Sequence, residues 1–104
     1  MLDRQGMMME QKRVVREHFF FYGHVQGVGF RYRAMQAARS CDVTGYVRNR
    51  GDGSVELEAE GTPRAIEEML RLIERGRWIS IDRIVRCTIP VEGSRSFEYR
   101  DEYW

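Results

Sequence analysis

The sequence lacks any hydrophobic run long enough to cross a membrane, and its first residues lack the apolar centre of a secretory signal. Proline and cysteine are scarce, with two of each among 104 residues. With 42% hydrophobic residues and no break in composition, a chain of this length predicts one folded domain rather than two domains or a disordered segment. We therefore expect a globular protein of the cytoplasm that does not enter membranes.

The two cysteines, Cys41 and Cys87, form neither a C-x-x-C pair nor a metal-ligand spacing. They could form one disulfide at most, which a reducing cytoplasm disfavours. We therefore expect two half-buried free thiols without chemistry. The residue pattern predicts no metal site.

Lysine is almost absent, because Lys12 is the only one and the rest of the 17 basic residues are arginines. Sixteen acidic residues leave a net charge of +1, which argues against bulk attraction to nucleic acid or anionic lipid. The charge is uneven along the chain. Residues 23–51 carry five arginines against Asp42 alone, whereas residues 52–74 are mainly acidic. Since guanidinium groups suit two-pronged contacts with oxyanions, we expect small anions to be drawn to the first segment.

Two stretches predict amphipathic helices. The first follows a glycine-rich loop, and its apolar residues recur at i, i+4, i+7, i+8 and i+11: Phe30, Ala34, Ala37, Ala38 and Cys41. The second begins with Thr62 as a cap and Pro63 as the first helical residue, and ends near Gly76. Its core stripe consists of Ile66, Met69, Leu70 and Ile73.

The first three strands are predicted from β-branched, aromatic and alternating runs. Residues 14–22 carry apolar groups on both faces, as a central strand does. Residues 44–49 and 54–60 are joined by R-G-D-G, which predicts a hairpin. The second arm of that hairpin alternates, so its acidic residues are predicted to face solvent: Glu56, Glu58 and Glu60.

Beyond the second helix the apolar residues share one parity, which predicts a fourth strand with these residues on one face: Ile79, Ile81, Val85, Cys87, Ile89 and Val91. Phe97 and Tyr99 share one face of a short last strand. The order β-α-β-β-α-β with a terminal strand predicts an α+β fold, with two helices on one face of a mainly antiparallel sheet. Residues 13–104 would form this domain. Residues 1–12 are polar and aperiodic, and are predicted to be a flexible tail.

The stretch G-H-V-Q-G-V-G-F-R, residues 23–31, joins the first strand to the first helix. A strand, a glycine turn and a helix start would gather backbone N–H groups at the positive end of a helix dipole, which favours phosphate. Arg31 would add a fork of donors at the same place. The spacing matches neither the P-loop nor the dinucleotide fingerprint. On the residues alone, a purely structural turn explains the glycines equally well.

Together with V-T-G-Y-V-R-N-R-G-D-G-S-V-E-L-E-A-E-G, residues 43–61, this loop resembles the acylphosphatases, a family of small enzymes with a ferredoxin-like α/β sandwich. The resemblance covers about Val14 to Tyr99. It implies hydrolysis of the carboxyl-phosphate bond of acyl phosphates to a carboxylate and inorganic phosphate, without a metal ion or other cofactor. It assigns phosphate binding to Arg31 and orientation of the attacking water to Asn49. It also implies a phosphate-binding loop made of His24, Val25, Gln26, Gly27, Val28, Gly29 and Phe30.

Simpler explanations stand beside these assignments. Arg31 could be a solvated helix arginine, and Asn49 an ordinary residue at the mouth of a hairpin. Two positions also depart from the family pattern: His24 stands where arginine is common, and Asp42 where a glycine often follows the first helix. The Asp42 departure puts the geometry of that helix end in doubt, and leaves the chemistry untouched.

The expected partner is a small-molecule acyl phosphate, bound by a monomer that contacts neither nucleic acid nor membrane. One alternative is a non-catalytic phosphate or carbamoyl-phosphate binding module, because related domains occur inside larger hydrogenase-maturation proteins. Another is a single-stranded RNA binder, because the RNA-recognition fold has the same element order. The three carboxylates of the third strand argue against RNA, since they would repel its backbone.

Overall fold

The computed structural model describes residues 13–101, so the predicted tail over residues 1–12 and the last three residues lie outside the described part. The elements follow in this order: β1 (Val15–His24), α1 (Phe30–Ser40), β2 (Thr44–Asn49), β3 (Val55–Gly61), α2 (Pro63–Glu74), β4 (Ser80–Ile89) and β5 (Phe97–Tyr99). The predicted α+β order with a terminal strand is confirmed. Within the described residues no helix is long and apolar enough to span a bilayer.

The strands form one five-stranded sheet in the order β4-β1-β3-β2-β5. Every neighbouring pair is antiparallel except β2 with β5, which is parallel. The central position predicted for β1 is confirmed, because β4 and β3 flank it. Since β4 and β5 lie at opposite edges, residues 90–96 must carry the chain across the sheet.

The core lies between one face of this sheet and the two helices. Phe19 and Phe21 of β1 are fully buried in it. The helix residues buried there are Phe30, Ala34, Ala37, Ala38, Ile66, Met69, Leu70 and Ile73. Both helical stripes are confirmed, except that Cys41 lies just past α1 and is half-buried. The thiols are free as expected, but Cys87 is exposed rather than half-buried.

The predicted parity of β4 is wrong, because a β-bulge interrupts it. Tyr22 pairs with Arg83 while its neighbour Gly23 pairs with Ile81, so Asp82 is an extra residue. Past the bulge the alternation is inverted, and Ile84 packs against the core. Val85 and Cys87, which pair with Phe20 and His18 of β1, are exposed on the outer face. Gly23 is required at the bulge, because a Cβ there would clash with the carbonyl oxygen of Ser80.

The prediction that the acidic residues of β3 face water is also wrong. Glu56 and Glu60 are each 6% exposed, although they lie on the face opposite the helices. Glu56 pairs with Arg48 and with His18, whose Nε2 lies 2.6 Å from a carboxylate oxygen. The alternating sequence pattern predicts correctly which side chains of β3 lie on the outer face of the sheet. It does not predict that basic side chains of the neighbouring strands cover these carboxylates.

Glu60 also holds the segment of residues 90–96 that crosses the sheet. Its carboxylate accepts hydrogen bonds from the backbone N–H groups of Glu92 (2.8 Å) and Gly93 (2.9 Å). It accepts a third from Arg16 Nη1 at 3.1 Å, and Arg16 is itself 4% exposed. Buried and fully paired, this carboxylate fixes the path of the chain from β4 to β5.

These carboxylates should make the protein sensitive to acid. Burial alone would raise the pKa of Glu60, but its hydrogen bonds outweigh burial and hold the pKa below the ordinary value of 4.5. The pKa of Glu56 is lowered in the same way by Arg48 and His18. A carboxylate whose pKa is lower in the folded than in the unfolded state stabilises the fold at pH values above its unfolded pKa. This contribution is lost as the pH falls through the folded-state pKa. We expect the free energy of unfolding, measured by urea denaturation, to fall as the pH drops below 4.5.

Glu60→Gln tests the source of that acid sensitivity. It should cost about 1–3 kcal/mol at neutral pH, because an amide NH2 would face backbone donors. It should also flatten the decline below pH 4.5. The matched control is Glu68→Gln, whose ion pair with Arg71 is exposed, so it should leave the stability nearly unchanged. An equal decline in Glu60→Gln and the parent would contradict the assignment.

The end of α1 departs from the usual glycine, as the sequence indicated. Asp42 has a φ of 58° and is the only non-glycine residue with positive φ in residues 13–101. The backbone N–H of Val43 bonds to the carbonyl of Ala38 at 2.8 Å, which is the hydrogen bond of a Schellman cap. The cap geometry is therefore kept, with an aspartate in a conformation that glycine adopts more easily.

Asp42→Gly should therefore raise the free energy of unfolding by about 0.5–1 kcal/mol, because it relieves the left-handed strain and removes a negative charge from a helix C-terminus. Asp42→Asn removes only the charge and should give a smaller gain. Asp42→Ala should destabilise. Thermal and urea denaturation of the three variants would rank them, and a gain with alanine would contradict the strain.

Candidate active site

The glycine loop, residues 24–30, leaves β1 and enters α1 with its backbone held in left-handed turns. Gly27 and Gly29 have φ values of 73° and 81°, which glycine adopts without strain. A Cβ placed on either glycine would meet no atom within 4 Å. Val25 and Phe30, by contrast, are buried in the core at 1% and 2% exposure. The loop is thus anchored by two apolar side chains and has open space in front of its glycines.

The backbone N–H groups of residues 25–32 have no acceptor among residues 13–101. The first helical bond of α1 runs from Arg33 N to Gly29 O at 3.0 Å. Gly29 caps the helix without a side chain, and the first turn holds no acidic residue. The start of α1 therefore combines the positive end of a helix dipole with a series of N–H donors that have no acceptor among the described residues, an arrangement that favours an anion.

Arg31 lies in the first turn of α1 and is held by the C-terminal strand. Its Nη1 donates to the carbonyl of Arg100 at 2.9 Å, and its guanidinium carbon lies 4.4 Å from the centroid of the Tyr99 ring. No carboxylate within the described residues lies within ion-pair distance of Arg31. Arginine has five N–H donors, so most of the fork remains available to an anion.

Asn49 ends β2 and is 6% exposed. Its side-chain amide forms no hydrogen bond to the rest of the described chain, which is unusual for a buried polar group. Since none of the described side-chain polar atoms is both fully buried and unpaired, the amide must still reach solvent. The NH2 group of Asn49, a donor, and its amide oxygen, an acceptor, are therefore unpaired within the described residues and accessible to water.

Two contacts from distant parts of the sequence connect these groups. Gln26 Nε2 donates to the carbonyls of Arg50 (2.7 Å) and Ser54 (2.8 Å), which ties the glycine loop to the turn that follows Asn49. Arg100 N donates to Val47 O at 2.9 Å, which fixes the strand that holds Arg31 against β2. The structure thus joins the glycine loop to the hairpin of Asn49, and α1 to β5.

Sequence reasoning placed Gln26 in the loop but missed what its side chain does. It also missed the contacts of Tyr99 and Arg100 with Arg31, because a short last strand gives no sign of which strand it joins. His24 is exposed at the end of β1, opposite Ser80. The described residues give His24 no hydrogen bond through its side chain.

One group of side chains could hold a metal ion. The potential ligand atoms of His18, Glu56 and Glu58 lie within 4.8 Å of one another. They lie on the outer face of the sheet in the middle of β1 and β3, away from the glycine loop. Glu56 and Glu58 already pair with Arg48 and Arg16, and a cation would have to displace these arginines. The group is therefore better explained as a charge-balanced network than as a metal site.

The fold is that of a small ferredoxin-like α+β sandwich, in which N–H groups without an acceptor among the described residues lie between the first strand and the first helix. The model of the acylphosphatase family matches residues 17–99. An acylphosphatase of Bifidobacterium longum is 40% identical over 96 residues, which cover 89% of this chain and 99% of that protein. The chain belongs to the acylphosphatase family.

Solved structures agree with this assignment. An acylphosphatase from Coxiella burnetii superimposes with a TM-score of 0.78 at 30% identity, over 86% of this chain and 98% of that one. Full-length HypF in its phosphate- and nucleotide-bound form gives a TM-score of 0.79 at 26% identity. That match covers 88% of this chain but 12% of HypF, so the same fold also occurs as part of a much longer protein.

Proposed function

We propose that this protein is an acylphosphatase, which hydrolyses the carboxyl-phosphate bond of acyl phosphates to a carboxylate and inorganic phosphate. Membership of the family supports the reaction, since the relatives that cover nearly the whole chain are named for it. One observation carries the proposal to particular residues. The N–H groups of residues 25–32 have no acceptor among the described residues, and Arg31 follows them in the first turn of α1, so a phosphoryl dianion would find donors from both.

The chemistry demands little more than this arrangement. An acyl phosphate is a mixed anhydride, and its leaving carboxylate is the conjugate base of an acid with a pKa near about 4, so it departs without a proton. Phosphoryl transfer passes through a loose transition state in which charge spreads over the phosphate oxygens. Catalysis then consists mainly of positioning and charge stabilisation, which fixed N–H donors supply without reorganising.

Arg31 and Asn49 take separate roles in this mechanism. Arg31 binds two oxygens of the phosphoryl group and balances the charge that develops on them. Asn49 accepts a hydrogen bond from the attacking water through its amide oxygen. Water oxygen bonds to phosphorus as the bond to the carboxylate oxygen breaks, and the water's proton passes to a phosphate oxygen. No basic side chain is required.

A non-catalytic phosphate-binding module remains the second candidate. The observation that favours it is the likeness to HypF, in which this fold forms a small part of a long chain. The two proposals predict the same anion at the glycine loop. They differ in the role of Asn49. Hydrolysis needs its solvent-accessible amide to orient a water molecule, whereas a binding module has no attacking water to orient.

The remaining parts of the proposal concern the partner and the compartment. We expect a monomer that acts in the cytoplasm on a small molecule. The aromatic residues that an RNA-binding sheet would need are covered, because Arg50 lies 4.6 Å from the Phe20 ring centroid and Arg83 lies 4.5 Å from that of Tyr22. These contacts support the absence of RNA better than the paired carboxylates of β3 do.

A spectrophotometric assay with a simple aromatic acyl phosphate tests the proposed function. The purified protein should turn the compound over, and the rate should be unchanged by an excess of chelator. Release of inorganic phosphate should match the loss of the acyl phosphate one for one. Phosphate binding without turnover would support the binding module instead, and turnover that stops with chelator would contradict the metal-free mechanism.

A further inference from the structure

The side chain of Gln26 reaches from the glycine loop to the β2–β3 hairpin. Its amide nitrogen has two hydrogens, and each has a carbonyl acceptor: Arg50 at 2.7 Å and Ser54 at 2.8 Å. These are the shortest links between the loop and the rest of the chain that the described side chains make. The side chain of Gln26 therefore has no N–H left for a substrate, whereas its backbone N–H is among the free donors.

The two carbonyls belong to the turn that closes the β2–β3 hairpin. Arg50 N donates to Ser54 O at 2.9 Å, and Gly53 N donates to Arg50 O at 3.2 Å. Asp52 accepts from Ser54 N at 2.9 Å, which braces the turn further. Gln26 is thus bonded to a turn that is already rigid, so it transmits the position of that turn to the loop.

Asn49 immediately precedes this turn, and no residue of the described range 13–101 hydrogen-bonds its side-chain amide. Its position relative to the glycine loop is set by β2, by the turn and by the link through Gln26. A bound phosphoryl group would rest on the loop, and the attacking water would rest on Asn49. The distance between the two reactants then depends on how the loop is joined to the hairpin.

We propose that Gln26 is a positioning residue that holds the phosphate-binding loop and Asn49 at the separation in-line attack requires. The inference rests on the proposed function. This role requires glutamine. Asparagine is one methylene shorter and would not reach the carbonyls of Arg50 and Ser54, and glutamate would place a carboxylate next to these two carbonyl oxygens, which it cannot hydrogen-bond. The side chain of Gln26 touches neither the substrate nor the water, so it acts only through the hairpin.

Gln26→Met tests this role, because methionine keeps the length of the side chain and removes both donors. We expect kcat for an aromatic acyl phosphate to fall at least about tenfold, since small misplacements of reacting groups are costly. KM and the inhibition constant of inorganic phosphate should stay within about twofold, because the backbone donors and Arg31 are untouched. The matched control is Gln36→Met on α1, whose amide donates only to the exposed Tyr32 hydroxyl, and it should match the parent.

A merely structural role predicts different data. Thr62→Ala removes the cap of α2, far from the site, and should lower the melting temperature without changing kcat. If Gln26→Met loses stability to the same degree and keeps its kcat, the positioning role is wrong. If KM and the phosphate inhibition constant rise while kcat holds, Gln26 contacts the substrate and the inference is also wrong.

A spectroscopic measurement keeps the inference testable even if the parent shows no turnover, which would overturn only the proposed function. Asn49 is the only asparagine in the chain, so labelling asparagine with nitrogen-15 gives one side-chain NH2 signal. In the parent it should be a single sharp pair that shifts when inorganic phosphate is added. In Gln26→Met it should broaden or double, and a spectrum identical to that of the parent would overturn the inference.

Discussion

Asn49→Ala is expected to abolish nearly all turnover, with kcat lower by at least about 10³-fold. The expectation follows from the proposed mechanism, in which this amide is the only group that holds the attacking water. Inorganic phosphate should inhibit the variant as strongly as the parent, because the glycine loop and Arg31 are intact. Steady-state kinetics with an aromatic acyl phosphate measures both quantities.

The fold itself supplies the control for this variant. The Asn49 side chain makes no hydrogen bond within the described residues, so its removal should cost little stability. Urea denaturation of Asn49→Ala should therefore nearly coincide with that of the parent. Inactivity together with unfolding would leave the water-orienting role without support, and full activity in a folded variant would contradict it.

Arg31→Ala should lower kcat/KM by about 10² or more, which is the size of effect seen when one donor to a developing oxyanion is removed. Both binding and turnover should suffer, because the guanidinium contacts the phosphoryl group before and during transfer. The inhibition constant of inorganic phosphate should therefore rise together with KM. Arg31→Lys should recover only part of the loss, since an ammonium group cannot bind two oxygens through a planar fork.

Arg39→Ala is the matched control for Arg31→Ala. Arg39 lies in the last turn of the same helix, and its guanidinium makes only a 3.4 Å contact to the carbonyl of Phe97. The change removes the same charge from the same element, so any general effect of net charge would appear in both variants. Equal losses in the two variants, or none in Arg31→Ala, would remove Arg31 from the site.

The helices and the order of the elements along the chain could be predicted because local patterns determine them. Thr62 caps α2 by accepting a hydrogen bond from Ala65 N at 3.1 Å, and Pro63 begins the helix, as the sequence indicated. The parity of β4 could not be predicted, since it depends on a bulge where Gly23 of one strand meets Ser80 of another. A single inserted residue in the register inverts every later side chain, and no period within β4 shows it.

The candidate site likewise contains a part that local sequence indicates and a part that depends on contacts between distant segments. The glycines and Arg31 lie in one continuous stretch, so their chemistry could be inferred from neighbouring residues. The link from Gln26 to Arg50 and Ser54, and the contact of Arg31 with Arg100, arise only when distant segments pack together. Such contacts leave no local pattern, because a glutamine in a glycine loop looks the same whether its side chain faces a ligand or a carbonyl.

The central claim is that backbone N–H groups of the glycine loop, assisted by Arg31, bind the phosphoryl group. A crystal structure of the protein with orthophosphate or sulfate tests this claim most directly. The account predicts an oxyanion within hydrogen-bond distance of several N–H groups between residues 25 and 32, with the Arg31 fork on two of its oxygens and Asn49 facing it across one water molecule. An anion bound elsewhere, or an empty loop with Arg31 turned to solvent at saturating phosphate, would contradict the account.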